Sequence, residues 1–340
     1  MKRFCSFAFL ALLMLAAVFM AGCAATAAEQ SAEPDVSAQE EVPKAAEEAA
    51  GPSEQPSAAK AALPADSSWT VAVDTKITHP TNITGFLNEE FGITVGFSGE
   101  IHYTNDAGQN WPDAENSSMC RFCLDIVDEN VAWTGGNGDM VRVTHDGGKT
   151  WTAVTDIRLD AGHANIDFVD DTTGWIASQF KLAATKDGGE TWTEMPLPEG
   201  AESICAISLR TPEDGYLLSR EGLLYITGDG GATWSGQDLG LKSYDIVDMQ
   251  KQPKLGKSNM AVADLSFTDE ENGTVVLTGM SSGGGFVIWC LTTGDGGATW
   301  ESEKIPDLGY SITKVFLTAD GQYLTLASNN NQTVLLKRQS

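Results

Sequence analysis

Two cysteines near the middle of the chain have the spacing of a redox motif. Cys120 and Cys123 are separated by two residues, and C-x-x-C pairs perform thiol–disulfide exchange when their surroundings lower the pKa of one thiol. Here the flanking residues are typical of a β-strand, on which positions three apart face opposite sides, and no helix start follows. We therefore predict structural roles for both. The disulfide state of these two cysteines, and of Cys205 and Cys290, is left open, because export would permit disulfides that a domain of this size does not need.

Potential metal ligands are scattered along the chain. His79, His102, His145 and His163 show no metal-ligand spacing. Repeated Asp-Gly-Gly segments each offer one carboxylate, whereas Ca²⁺ takes about six to eight oxygen ligands. We therefore predict no metal site and no cofactor.

Cys23 is the cysteine best placed for covalent chemistry. Residues 1–22 combine a basic start with an apolar run too short for a stable membrane span, which predicts a secretion signal. The run ends in Met-Ala-Gly-Cys, which resembles the bacterial lipobox, where small residues precede a lipid-accepting cysteine. By that resemblance, the Cys23 sulfur takes a diacylglyceryl group and the residue becomes the acylated N-terminus after cleavage. The alternative is ordinary cleavage within 25–28, which would discard Cys23.

The predicted cellular location follows from this lipid modification. Two or more acyl chains hold a protein stably on a membrane, whereas one holds it only marginally. We expect a lipid-anchored protein on the extracytoplasmic side of a bacterial cell membrane, with the leaflet left open. Residues 23–67 comprise the lipidated cysteine and a linker dominated by Ala, Glu, Pro and Ser, without an aromatic residue. Such a composition predicts a disordered tether, so the folded domain is expected over 68–340.

One eight-residue motif is repeated five times in that domain. Its aspartates are separated by 40, 41, 42 and 66 residues, a spacing typical of four-stranded propeller blades. The repeated aspartates and tryptophans are Asp106, Asp146, Asp187, Asp229 and Asp295, with Trp111, Trp151, Trp192, Trp234 and Trp300.

These motifs closely match the Asp-box, or BNR repeat, of pattern S/T-x-D-x-G-x-T-W. In such a hairpin the aspartate accepts hydrogen bonds from its own turn, glycine supplies a positive φ, and tryptophan packs beneath the loop. Only the first copy departs, with Ala107 and Asn110 where the others have Gly and Thr. We therefore expect a looser first turn.

The segments around each box outline a blade. Four boxes follow a strand, an acidic turn and a second strand, so each blade has strands a to d with the box between c and d. The last unit lacks its fourth strand, and SSWTVAVDTK at the N-terminus can supply it, since Trp69 starts a strand as the box tryptophans do. We predict an all-β, six-bladed propeller of four-stranded antiparallel blades, closed by the N-terminal strand. Seven blades is the alternative, because the 66-residue interval could hold an irregular blade.

Propellers usually work through the face that carries the b–c turns and the connections between blades. On this face we place 98–100, 135–139, 178–181, 219–221, 281–285 and 328–332. An insertion over 241–259 falls there too, and it brings lysines into an acidic protein: Lys242, Lys251, Lys254 and Lys257. This insertion is either a contact loop or a solvated flap.

The overall charge excludes one class of partner. The formal net charge is -26, and nucleic acid binding requires clustered Lys and Arg that displace counterions from phosphates. A strongly acidic surface keeps a protein soluble, so we expect a monomer.

Three families share the repeat. Sialidases use a propeller with an arginine triad, but their arginine-containing FRIP-like start motif is absent here. The chain most resembles, over nearly all of 68–340, the photosystem II assembly factor family and its relatives in non-photosynthetic bacteria. That resemblance implies a scaffold for membrane-protein assembly. Sortilin-like or carbohydrate-recognising propellers imply a rigid binding surface. We predict a non-catalytic binding or scaffold lipoprotein for an unidentified protein or glycan, and the alternative is a glycan-binding protein or a sialidase-like glycoside hydrolase.

Overall fold

The computed structural model describes most of the repeat region. The described residues are 63–79, 81–116, 120–136, 141–154, 157, 159, 165–240, 263–280, 286–306, 308, 312–328 and 330–339. Residues 1–62, which include the predicted leader, Cys23 and nearly all of the predicted linker, lie outside them, as do His163 and the whole of 241–262. The described residues contain no helix that is long and apolar enough to cross a membrane.

Twenty-four strands form six separate antiparallel sheets of four strands each. In chain order they are β1 (Trp69–Lys76), β2 (Ile83–Phe86), β3 (Phe91–Val95), β4 (Glu100–Asn105), β5 (Asp113–Asn116), β6 (Arg121–Ile126), β7 (Ala132–Gly136), β8 (Arg142–Thr144), β9 (Thr152–Ala153), β10 (Asn165–Phe168), β11 (Gly174–Ala177), β12 (Leu182–Thr185), β13 (Thr193–Met195), β14 (Ile204–Leu209), β15 (Gly215–Ser219), β16 (Leu223–Thr227), β17 (Ser235–Asp238), β18 (Ala263–Phe267), β19 (Gly273–Met280), β20 (Phe286–Thr293), β21 (Glu301–Ile305), β22 (Ile312–Leu317), β23 (Tyr323–Ser328) and β24 (Gln332–Arg338).

The sheets are the blades of a closed ring. Blades one to five are β2–β5, β6–β9, β10–β13, β14–β17 and β18–β21, and blade six is β22–β24 with β1. The innermost strands contact one another in sequence around the axis, from β2 through β6, β10, β14, β18 and β22 back to β2. Because β14 lies directly beside β18, no seventh blade separates them. The six-bladed prediction is confirmed.

The N-terminal strand closes the ring as predicted. Strand β1 pairs antiparallel with β24 from Trp69 opposite Arg338 to Lys76 opposite Gln332, with one irregularity in register. This pairing covers the edge that an open array of blades would expose. Trp69 is fully buried, and the guanidinium of Arg338 lies 4.7 Å from its ring centroid.

Each Asp-box is a self-contained turn. In the box of blade four, the Thr227 hydroxyl donates to Asp229 Oδ1 (2.8 Å), and the backbone N–H of Thr233 donates to the same oxygen (2.8 Å). The Thr233 hydroxyl donates to Asp229 Oδ2 (2.6 Å). In the box of blade three, the Trp192 indole N–H donates to the Gly189 carbonyl (3.1 Å). The aspartate is therefore satisfied within its own turn, and the Gly230 N–H adds a bond to the Glu213 carbonyl of the a–b turn (2.7 Å), whereas the Trp234 indole N–H makes no hydrogen bond among the described residues.

The first box keeps this geometry despite its two substitutions. Asn110 donates its backbone N–H to Asp106 Oδ1 (2.9 Å) and its side-chain amide to Asp106 Oδ2 (2.6 Å), which reproduces both contacts of the usual threonine. Ala107 adopts the positive φ (59°) that glycine adopts in the other boxes. The expected loosening of this turn is wrong, because an amide can replace a hydroxyl as the second donor.

The core lies between blades and is built from stacked aromatic rings. Trp133 of blade two stacks on Phe168 of blade three with ring centroids 3.8 Å apart, and Tyr216 of blade four stacks on Phe267 of blade five at the same distance. Gly174 lies against Phe168, where an added Cβ would come within 2.3 Å of the ring. Glycine at the start of strand b therefore makes room for the ring at the end of strand a.

Candidate functional site

The innermost strand of each blade lines the propeller axis, where two adjoining cavities share several lining residues. Three carboxylates face these cavities: Asp125 on β6, Asp167 on β10 and Asp264 on β18. Their backbone neighbours belong to a core of apolar strands, so the three acidic groups lie where a protein interior is usually apolar.

Each of these carboxylates joins its blade to the next one. Asp125 accepts the backbone N–H of Phe168 (2.8 Å), and Asp167 accepts that of Leu209 (2.9 Å). Asp264 in turn accepts the backbone N–H of Leu317 (2.7 Å). At three of the six junctions between blades, a side-chain carboxylate of one blade thus accepts a hydrogen bond from a backbone N–H of the next. The arrangement fixes neighbouring blades around the axis.

Burial changes the acidity of these groups. Burial raises the pKa of Asp125 to about 7, with a further upward contribution from the charge of Asp264, whose own pKa burial also raises to about 7. Burial, followed by the charge of Asp125, raises the pKa of Asp167 well above its ordinary value. The hydrogen bonds from backbone N–H groups oppose these shifts and are too weak to cancel them.

The mouth of the channel, its end on the b–c side, carries two basic side chains. Lys314 on β22 and Arg220, which follows β15, line the same cavity as the three carboxylates, together with Asn165. Burial lowers the pKa of Lys314, and the nearby Arg220 lowers it further. The cavity is therefore of mixed charge, with its basic groups towards the b–c turns.

The thiols near this mouth are inert. Cys123 and Cys205 lie beside the two cations, and both are free and buried, as is Cys290. Burial raises the pKa of Cys123 to about 12, which is opposite to the shift that redox chemistry needs. The structural role predicted for Cys123 agrees with this environment. Cys120, its partner in the C-x-x-C motif, is also buried.

Two of the b–c turns, those of blades three and four, are connected beside this mouth, whereas the predicted turn residues 137–139 and 281–285 lie outside the described residues. The turn of blade three contains Phe180, which is 44% exposed. Among the described residues it is the one large apolar side chain that is exposed. Gln179 beside it accepts the backbone N–H of Ile204 (2.8 Å), and Arg220 donates its backbone N–H to Ser203 (3.0 Å). These bonds connect the Phe180 turn to the Arg220 turn, so an apolar anchor and a cation lie on one rigid rim.

The residues singled out from the sequence are divided between the two faces. All five Asp-boxes lie between strands c and d, on the face opposite the b–c turns. Arg210 pairs with Asp214 (2.6 Å) at an a–b turn on that same face, whereas Arg220 lies on the b–c rim. Arg210 and Arg220 therefore lie on opposite faces of blade four. The loop lysines Lys242, Lys251, Lys254 and Lys257 lie outside the described residues.

Sequence reasoning missed the carboxylates of the channel. Three blades each carry one of them, in a strand whose alternating pattern predicts a half-buried sheet. That pattern does not reveal which face of the strand points at the propeller axis. Asp125 and Asp167 each lie one residue before the end of strand a, and this shared position was a usable signal.

Comparisons with known proteins place these features in a family context. A family model described as "Photosynthesis system II assembly factor YCF48" matches residues 153–243, and the BNR/Asp-box repeat model matches residues 142–153. The photosystem II assembly lipoprotein Ycf48 of Synechococcus sp. (strain CC9902) is 24% identical over 282 residues, covering 72% of this chain and 82% of the relative. The photosystem II assembly protein Ycf48 of Thermosynechococcus vestitus is 29% identical over 154 residues, covering 42% of this chain and 43% of the relative.

Solved structures show the same kind of fold. A structure described as YCF48 bound to D1 peptide has a TM-score of 0.50 and 16% identity, covering 83% of this chain and 100% of that chain. The WD40 β-propeller domain of Doa1 has a TM-score of 0.51 and 10% identity, covering 80% and 97%. The chain is a BNR-repeat β-propeller that resembles the photosystem II assembly factor family.

Proposed function

We propose that this chain is a non-catalytic lipoprotein whose propeller binds a segment of a membrane protein during assembly. The observation that carries the proposal is the rim of the b–c face, where Phe180 stands exposed beside turns that are fixed by backbone hydrogen bonds. Exposed aromatic side chains on rigid supports are frequent anchors of protein interfaces. Support also comes from the relatives, which are photosystem II assembly proteins, and from a similar solved propeller that is described as YCF48 bound to D1 peptide.

The charge at the axis suggests how a ligand would be oriented. Lys314 and Arg220 lie at the mouth that opens on this rim, and the three channel carboxylates lie along the axis. A polypeptide that placed an apolar side chain against Phe180 could direct an acidic group towards the two cations. The scattered arginines and the inert thiols favour binding over chemistry on this face.

A photocrosslinking experiment tests this surface. We expect a photoreactive amino acid at position 180 to capture one dominant membrane protein in native membranes, and the same probe at Lys149, exposed on the Asp-box face, to capture none. Phe180→Ala should weaken binding of the captured protein by at least about fivefold, because truncating an anchor typically costs more than about 1 kcal/mol. The matched Lys149→Ala variant should bind normally.

Two results would contradict this proposal. Equal capture from positions 180 and 149 would show that the b–c rim is not the binding surface. Cleavage of a sialoside or another glycoside by the purified protein would favour the glycoside hydrolase instead. A variant lacking 241–259 forms a further arm of the experiment, since loss of capture only in that variant would move the contact to the lysine loop.

The anchor has its own test. We expect labelled fatty acid to be incorporated into the full precursor and to be lost in Cys23→Ser, because the Cys23 sulfur is the proposed acceptor. Cys5→Ser is the matched control, since Cys5 lies in the part of the leader that cleavage removes. Label that persists on Cys23→Ser would overturn the lipid anchor and leave the peptide-binding proposal untouched.

A further inference from the structure

Two histidines and an aspartate that are dispersed in the sequence meet where the ring closes. His79 lies in the connection that follows β1, whereas His102 is on β4 and Asp113 on β5 of blade one. One donor atom from each residue lies within 4.8 Å of the other two. The two imidazole rings are stacked, with centroids 4.1 Å apart and an angle of 20° between their planes.

His102 is the fixed member of this cluster. The residue is 3% exposed, and neither ring nitrogen makes a hydrogen bond among the described residues. Asp113 Oδ1 lies 2.9 Å from His102 Nδ1, which is close enough for an ion pair. The two atoms meet the distance but not the direction of a hydrogen bond, so both ring nitrogens of this buried histidine are left without a hydrogen bond among the described residues.

The donor set selects a class of ion. Two imidazole nitrogens with one carboxylate oxygen suit Zn²⁺ and its first-row neighbours, whereas Mg²⁺ and Ca²⁺ prefer oxygen ligands alone. Donors around a tetrahedral zinc ion are separated by about 3.3 Å, given zinc–ligand distances of about 2.0 Å. The donor atoms, which lie within 4.8 Å of one another, therefore have to move closer together to bind zinc, and two of the three residues have room to move. His79 is half-buried in a connecting segment, and the Asp113 side chain is 83% exposed.

We propose that His79, His102 and Asp113 form a three-ligand Zn²⁺ site that fastens the closing segment to blade one. Strand β1 belongs to blade six, and His79 follows it directly, so an ion held with His102 would link the last blade to the first. The fourth coordination position is left to water or to an external ligand. This inference does not depend on the proposed peptide-binding surface, which lies on the rim of blades three and four.

Zinc titration of the purified full chain tests the site. We expect one equivalent of Zn²⁺ to bind by calorimetry, with at least a tenfold loss of affinity in His79→Ala and in Asp113→Asn. His145→Ala is the matched control, because His145 is exposed in an Asp-box turn and should bind zinc as the unaltered chain does. Co²⁺ should give the visible absorption of a tetrahedral site in the unaltered chain and lose it in His79→Ala. Excess Mg²⁺ should not compete.

The same samples test the fastening. Because a ligand that binds only the folded state stabilises it, Zn²⁺ should raise the Tm of the unaltered chain and of His145→Ala by a few degrees, and leave that of His79→Ala unchanged. Absence of binding, or binding that His79→Ala and Asp113→Asn leave intact, would overturn the site. Binding at these residues without a rise in Tm would overturn the fastening of the ring. His79→Ala alters a half-buried loop residue, so its fold can be checked independently by its Tm without metal.

Discussion

A chain that begins at residue 78 will lose the cooperative unfolding transition that a chain beginning at residue 64 shows. The missing segment contains the whole of β1, which pairs with β24 along its length. It also removes Trp69, Val73 and Ile77, all of which are buried. The expected measurement is a single sharp thermal transition for the longer chain and a broad, early one for the shorter.

The size of the effect follows from what β1 buries. Val73 packs with Phe86 and Leu335, and Trp69 packs with Leu336 and Val276 in a second cluster. Loss of such buried side chains costs about 2 to 5 kcal/mol each. The free energy of unfolding of a whole domain is about 5 to 15 kcal/mol. Removing three buried side chains together with their strand therefore removes most of the stability. The edge of β24 is then open to pairing with other chains, which predicts aggregation.

Point variants separate strand pairing from chain length. Val73→Asp should reproduce most of the loss, because it places a charge in the cluster around Leu335, whereas Thr70→Asp on the exposed side of the same strand should change the Tm little. A synthetic peptide of residues 64–77 added to the shortened chain should restore the sharp transition, and the same peptide with the Val73→Asp change should not. Equal Tm values for the long and short chains would show that the closing strand is dispensable.

The turns of this fold were predictable because their causes are local. The side-chain hydrogen bonds of the Asp-box aspartate are made within eight consecutive residues, and a further backbone bond joins the box to the a–b turn of the same blade, as from the Gly147 N–H to the Asn130 carbonyl (3.0 Å). The motif therefore carries most of its own structural instruction. Repetition at a nearly constant interval then fixes the length of a blade, and an incomplete last unit facing a spare N-terminal strand gives the closure. Even the first box forms the same turn, since Asn110 donates the two hydrogen bonds that threonine donates in the other boxes.

The residues at the axis and at the seam could not be derived in this way. Whether Asp125 faces a channel or solvent depends on which side of its strand turns inward, and the ring decides that. His79 and His102 meet only because β1 crosses to blade six before the chain enters blade one. Their proximity is a property of the closed ring, so spacing along the chain carried no sign of it, and the expectation of dispersed histidines did not anticipate the cluster.

Acidification will stabilise this protein over the range in which the channel carboxylates titrate. Their folded pKa values are raised above the unfolded value near 4, to about 7 for Asp125 and Asp264. The folded state therefore binds more protons than the unfolded state between about pH 4 and pH 7. The stability they contribute is complete below the unfolded pKa and is lost as pH rises through the folded pKa.

The Asp-box carboxylates set the lower limit of this range. Hydrogen bonds from the Thr233 side chain and backbone lower the pKa of Asp229 to about 2. A group with a lowered folded pKa contributes stability above its unfolded pKa and loses it as pH falls through the folded value. These groups are ionised in both states near pH 5, so they do not oppose the channel there. We expect maximal stability between about pH 4 and pH 6.

The measurement is the Tm and the free energy of unfolding at about pH 8 and pH 5. Each pKa unit corresponds to about 1.4 kcal/mol, and because the three groups repel one another and partly face the channel, we expect a combined gain of roughly 2 to 4 kcal/mol at the lower pH. In a domain of this size that gain raises the Tm by roughly 4 to 8 °C.

General loss of negative charge would also favour the folded state of so acidic a chain, and a substitution distinguishes the two causes. Asp125→Asn with Asp264→Asn keeps an acceptor for the N–H groups of Phe168 and Leu317 and removes the ionisable groups. This variant should be more stable than the unaltered chain at about pH 8 and should depend less on pH down to about 5. Asp171→Asn removes an exposed charge outside the channel and should retain the full dependence. If the double variant retained the full pH dependence too, the stabilising protons would bind elsewhere. The ionised carboxylates of Asp125 and Asp264 would then not destabilise the folded state.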